Sequence, residues 1–137
     1  MFSRMLGLMV PYTGKLGARV LTLDAGHVVV ELKERWAVRN HLRSVHAMAL
    51  ANAGELATGL AMLGSLPPTV RGILTAFEID YVKKARGRLL IESRCDVPEV
   101  TTDEEYEAVA TITDASGDIV STARATWRLG PVPMESP

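Results

Sequence analysis

The chain has 137 residues, with 15 lysines and arginines against 16 aspartates and glutamates, for a net charge of −1. So even a balance removes the global attraction that nucleic acid or an anionic membrane would exploit, and the length suits one domain, residues 1–137, with its own core. The single cysteine, Cys95, excludes an intramolecular disulfide and fits a reducing cytoplasm; His41 and His46 fall on different helix faces, so no metal site is expected.

The opening stretch MFSRMLGLMVPY is apolar but short, interrupted by Arg4 and closed by Pro11 without a small-residue cleavage pattern. It reads as a short amphipathic helix over residues 1–10 rather than a signal. ARVLTLDAGHVVVELKE follows as two strands turning at DAGH, with Val28, Val30 and Leu32 alternating against Val29, Glu31 and Lys33. RWAVRNHLRS is a polar loop. The small and apolar residues after it predict one long helix, stopped at GSLPP because proline neither donates the next hydrogen bond nor leaves its predecessor helical. The apolar run from Val45 to Leu66 approaches membrane-spanning length, yet Glu55, Asn52 and its many alanines and glycines point to burial inside a protein.

Four alternating runs come next. In RGILTAFEIDYVKK, strict alternation puts Ile73, Thr75, Phe77, Ile79 and Tyr81 on one face. LLIESRCDV returns after the turn ARGR. EEYEAVATITD gathers Tyr106, Ala108, Ala110 and Ile112, and IVSTARATWRL gathers Ile119, Ala123, Ala125, Trp127 and Leu129 after the turn ASGD. Short turns imply antiparallel neighbours. The last residues, 130–137, read as a loose tail. A helix apolar nearly all round must be surrounded. The order predicts an α+β architecture, a curved six-stranded antiparallel sheet wrapped around one central helix, which is the hotdog fold.

From Ser44 to Val70 the only acidic, lysine or arginine residue is Glu55. On a helical wheel it shares a narrow stripe with Asn52, Thr58, Ala51 and Met62, which Met48 and Gly59 extend. The stripe can face water, meet its twin in a homodimer, or place Glu55 at a partly desolvated interface where a carboxylate becomes chemically useful.

Asn40, His46 and Glu55 stand at spacings of six and nine. With the strand–strand–loop–helix–four-strand order, this resembles the hotdog acyl-CoA thioesterases related to the phenylacetic-acid-degradation enzymes. The closest similarity is to small bacterial hotdog proteins grouped as a domain of unknown function. The resemblance implies a homodimer, or a dimer of dimers, with sites between subunits and a thioester of coenzyme A or of an acyl carrier as substrate. No separate cofactor is implied. Glu55 from one subunit's helix would act as base or nucleophile, and Asn40 would orient water or thioester. His46 would position the loop, and the Ala47 amide at the helix start would polarise the carbonyl. The family's His-Gly-Gly is His46-Ala47-Met48 here, a departure that favours an alternative reading, a non-catalytic acyl or acyl-CoA binding protein. Lys83, Lys84, Arg86 and Arg88 cluster at a strand turn. They are either a solvated, edge-protecting tip or a grip on coenzyme A phosphates; without interleaved aromatics they do not read as a nucleic-acid site.

Overall fold

The computed structural model describes residues 16–133. Along the chain run β1 (Arg19–Asp24), β2 (His27–Lys33), a single 3-10 turn (Trp36–Val38), helix α1 (Ala47–Gly64), β3 (Val70–Tyr81), β4 (Arg88–Arg94), β5 (Glu104–Thr113) and β6 (Ile119–Pro131). The strands form one antiparallel sheet in the order β1-β2-β4-β5-β6-β3. This is the hotdog arrangement expected from the sequence. The N-terminal helix expected over residues 1–10 lies outside the described residues. β6 runs through Gly130 and Pro131, two residues into the expected tail, and residues 134–137 also lie outside the described part.

Why α1 is built from small residues follows from where it sits. Its alanines Ala53, Ala57 and Ala61 are fully buried against the inward side chains Val28, Val30 and Leu32 of β2, Leu89 and Ile91 of β4, and Ala110 and Ile112 of β5. A helix in the hollow of a curved sheet has little radial room, and alanine fills it while keeping the highest helix propensity. Gly54 shows the limit: a Cβ there would stand 2.8 Å from the Ala123 Cβ and 3.6 Å from Cζ of Phe77. A second apolar centre gathers around Trp127 at the other end of the sheet, with Met62, Ala108, Ala125 and Leu129.

Alternation fails at one place in β3. The pairing of β3 with β6 shifts register between Leu74 and Ala76, so the inward set is Gly72, Leu74, Phe77, Ile79 and Tyr81. Ile73, expected inward, stands opposite the outward Arg128 and is 56% exposed. One extra residue in a strand, a β-bulge, inverts every side chain beyond it, and no period-two pattern announces it.

Candidate active site

The loop between β2 and α1 is organised by Asn40. Its side-chain oxygen accepts from the Leu42 amide at 2.9 Å, the Ser44 amide at 3.2 Å and the Ser44 hydroxyl at 3.1 Å. Arg43 takes a left-handed backbone conformation, φ 56°, to close the turn. With Oδ1 engaged by three donors, the carboxamide NH2 is what Asn40 has left to offer a ligand. Arg86 ties the same loop from outside, reaching the Arg43 and Leu42 carbonyls at 3.3 and 3.4 Å.

His46 caps α1. Its Nδ1 accepts from the Met48 amide at 3.0 Å, and its carbonyl accepts from the Ala49 and Leu50 amides. Of the four amides that open the helix without an i−4 acceptor, those of residues 46–49, three are satisfied: His46 donates to the Val38 carbonyl, Met48 to Nδ1 of His46 and Ala49 to the His46 carbonyl. The Ala47 amide alone has no acceptor among the described residues. It sits at the positive end of the helix dipole. Tyr81, at the end of β3, donates its hydroxyl to the Ala47 carbonyl at 2.9 Å and so fixes the peptide beside it.

A cavity of about 360 Å3 opens at this helix start, walled among others by Asn40, Ala47, Leu50, Tyr81, Lys83 and Lys84. The fold thus unites Asn40, Ala47, Lys83 and Lys84 around one cavity. His46, Glu55, Arg86 and Arg88 are not among its walls. Of the four basic residues, Lys83 bridges Asp114 at 2.7 Å and Asp118 at 2.8 Å, Arg86 holds loop carbonyls, and Arg88 pairs with the buried Glu31. Lys84 has no ion-pair partner among the described residues. Sequence reading missed Tyr81, Leu42 and Val82 as cavity walls. Their only sequence signal was proximity to an anticipated turn or loop, which carries no direction.

Glu55 lies elsewhere. It is half-buried, its carboxylate has no hydrogen-bond or ion-pair partner among the described residues, and burial pushes its carboxyl above the usual carboxylate range. Its stripe runs from solvent into the core: Met48 is 57% exposed, and Ala51, Asn52 and Glu55 are partly buried. Thr58 is fully buried and turns its hydroxyl back to the Gly54 and Glu55 carbonyls, and Met62 is fully buried as well. The stripe faces the β6–β3 side: a Cβ at Gly59 would stand 3.4 Å from Cζ2 of Trp127, and Met62 lies against Gly72. Eight residues separate Ala47 from Glu55, about 12 Å of helix axis.

Among the described residues no group of His, Cys, Asp or Glu is placed to hold a metal ion, and no helix is long and apolar enough to cross a membrane.

Residues 1–129 match a family described as a domain of unknown function, DUF4442. The chain belongs to that family. No curated protein matches it. Among solved structures, a structural-genomics protein shares 27% identity at a TM-score of 0.87, over 96% of this chain and 88% of the other. A protein of unknown function from Pseudomonas aeruginosa, described as a probable thioesterase, shares 21% at 0.84, over 95% of this chain and 93% of that one. Zebrafish thioesterase superfamily member 2 shares 22% at 0.81, over 93% of each chain. These DUF4442 and hotdog similarities fix the fold.

Proposed function

We propose that this DUF4442 protein hydrolyses acyl-CoA thioesters as a homodimer, each site taking its oxyanion donor from one chain and its carboxylate from the other. The observation that carries the reading is the separation within one chain. The free Ala47 amide and the unpartnered, desolvated Glu55 lie about 12 Å apart along α1. Both cannot act on one carbonyl. A second copy related by a two-fold axis, with its helix running the other way, brings one chain's Glu55 towards the other's Ala47. The edge of the sheet offers the contact: among the described residues β3 pairs with β6 alone, is 12 residues long, and leaves Leu74, Phe77 and Ile79 half-exposed. The thioesterase descriptions of the Pseudomonas aeruginosa and zebrafish proteins support the reaction class.

The chemistry needs no cofactor. The thioester carbonyl oxygen accepts from the Ala47 N–H, whose dipole-end position favours the developing negative charge. Glu55, made more basic by desolvation, takes a proton from water as the water oxygen bonds to the carbonyl carbon. Collapse of the tetrahedral intermediate breaks the C–S bond, and the leaving sulfur takes the proton back from Glu55, releasing a carboxylic acid and the coenzyme A thiol and restoring the carboxylate. Asn40 lines the cavity with its carboxamide NH2 uncommitted among the described residues and serves as the donor to water or thioester, and Lys84, another wall, serves as the phosphate contact.

A second reading, acyl-CoA binding without turnover, is favoured by one observation. His46 Nδ1 has already taken the Met48 amide, leaving one oxyanion donor at the helix start. Subunit complementation tests the first reading. Glu55→Ala removes the base. Ala47→Pro removes the free N–H at the first helical position, where proline fits and where His46, at ψ 140°, already has the backbone proline demands. Each variant alone should lose turnover on an acyl-CoA panel. Mixed equally and re-equilibrated, half the dimers carry one intact site, restoring about a quarter of wild-type activity. A silent mixture would refute the shared site, and full activity in Glu55→Ala would refute the carboxylate's role. Loss of turnover in wild type with acyl-CoA still bound selects the second reading.

A further inference from the structure

Trp127 holds a polar atom that none of the described residues engages. The residue is 6% exposed, and its indole Nε1–H is a buried side-chain donor with no acceptor among the described residues. Native proteins seldom leave a buried donor unmet, and such groups are retained where something other than the fold accepts the bond. The second tryptophan, Trp36, is 86% exposed.

The surroundings of that donor point to a ligand. Trp127 lies on β6 between Leu74 of β3 and Tyr106 of β5, with its Cζ2 corner, beside the N–H, turned to Gly59 of α1. Gly59 is one helical turn beyond Glu55 on the same stripe, about 6 Å along the axis. Further along, past the end of α1, is a second cavity of about 240 Å3, open between the 65–70 and 97–100 segments. Four of its walls, Leu66, Val70, Val97 and Val100, are also the outer shell of the Trp127 cluster. Val97 and Val100 belong to the β4–β5 connection, which has neither helix nor strand between Cys95 and Asp103. Glu55, the indole N–H and the second cavity therefore follow one another along one side of the helix.

We propose that this is the acyl channel, and that its substrates are oxygenated acyl thioesters, whose hydroxyl or oxo oxygen accepts the Trp127 N–H roughly one helical turn beyond the thioester carbonyl. The inference rests on the thioester reading of the Glu55 site and adds the substrate class. Trp127 is the specificity-determining residue: an unsubstituted chain filling the channel leaves the donor unmet, and an oxygenated one satisfies it.

The test uses the full-length protein and hydrolysis-resistant coenzyme A thioethers of one length, unsubstituted or carrying a single oxo group moved along the chain. The two indole N–H resonances separate the tryptophans. One position of the oxo group should move the Trp127 signal downfield, leave Trp36 unmoved, and bind about tenfold tighter than the plain chain. Trp127→Phe should bring the affinity ratio between the oxo and the plain chain to about one, whatever it does to the affinity of either alone. Should Trp127→Phe not fold, benzothienylalanine in place of Trp127 substitutes sulfur for the N–H in nearly the same shape and gives the same readout. A Trp127 signal already at a hydrogen-bonded position and unmoved by every probe overturns the proposal, as does equal affinity along the series. Because binding is read without turnover, the two readings fail separately. Preference without hydrolysis of any thioester retains Trp127's role and removes the hydrolase; hydrolysis without preference does the reverse.

Discussion

Two glycines of α1, five residues apart, should respond in opposite ways to the same substitution. In a helix interior, alanine is worth about 1 kcal/mol over glycine. At Gly59 the added methyl would meet its nearest atom, Cζ2 of Trp127, at 3.4 Å, the near side of ordinary contact. Gly59→Ala should therefore keep the full gain. At Gly54 the methyl would sit 2.8 Å from the Cβ of Ala123, an atom fixed to the β6 backbone that no rotamer change can move. Helix and sheet must part by several tenths of an ångström, and overpacking of this kind costs about 1–3 kcal/mol. Gly54→Ala should then range from neutral to about 2 kcal/mol less stable, placing it about 1–3 kcal/mol below Gly59→Ala. For a domain of this size that is roughly 3–10 °C in Tm, measured by calorimetry at one protein concentration so that assembly is held constant. Equal melting temperatures, or Gly54→Ala the more stable, would refute the claim that the closeness of α1 to β6 is set by this glycine.

Glu55→Gln tests the cost of the buried carboxyl. Burial raises the Glu55 pKa in the folded state, so the folded chain holds this proton more tightly than the unfolded chain, and stability falls as pH rises from the unfolded to the folded value. The glutamine variant should match wild type near pH ~3, below the ordinary carboxyl range, where both states are protonated. It should become the more stable of the two as pH rises through the raised pKa; an advantage that grows toward acid instead would contradict the assignment. Asn40→Ala leaves the amide and hydroxyl of the buried Ser44 without their acceptor, a loss of about 1–3 kcal/mol visible in urea unfolding. Asn40→Asp keeps an acceptor oxygen but not the NH2, so it should recover stability without recovering turnover. Recovery of both would make Asn40 a loop residue alone.

Much of the architecture was legible because it rests on periodicity. Val28, Val30 and Leu32 alternate cleanly, and the proline pair after α1 marks its end. The bulge in β3 was not legible, because an inserted residue changes no composition, only phase, and it turned Ile73 outward. At the site, Asn40 and Ala47 line one cavity because loop and helix start are adjacent in sequence, while His46 and Glu55, the other members of the spacing, are not among its walls. The commitments of Lys83, Arg86 and Arg88 to internal partners could not be read, since those partners lie from 31 to 57 residues away. Thr58 shows a subtler limit. On a wheel it counts as polar, but its hydroxyl folds back on the Gly54 and Glu55 carbonyls, so the side chain behaves as a buried apolar one.

The hydroxyl of Tyr81 has a reach beyond its one hydrogen bond. It links the last residue of the exposed edge strand to the carbonyl of Ala47, the residue whose own N–H is unclaimed. Strand end and helix start are thus braced as a single rigid part. Pressure applied to the open edge of the sheet is transmitted to the peptide that faces the cavity, and a ligand pulling on that peptide is felt at the edge. In the dimer proposed above, assembly at that edge and ligand binding at Ala47 would share this hydrogen bond, and coupling between two equilibria through a common element is reciprocal.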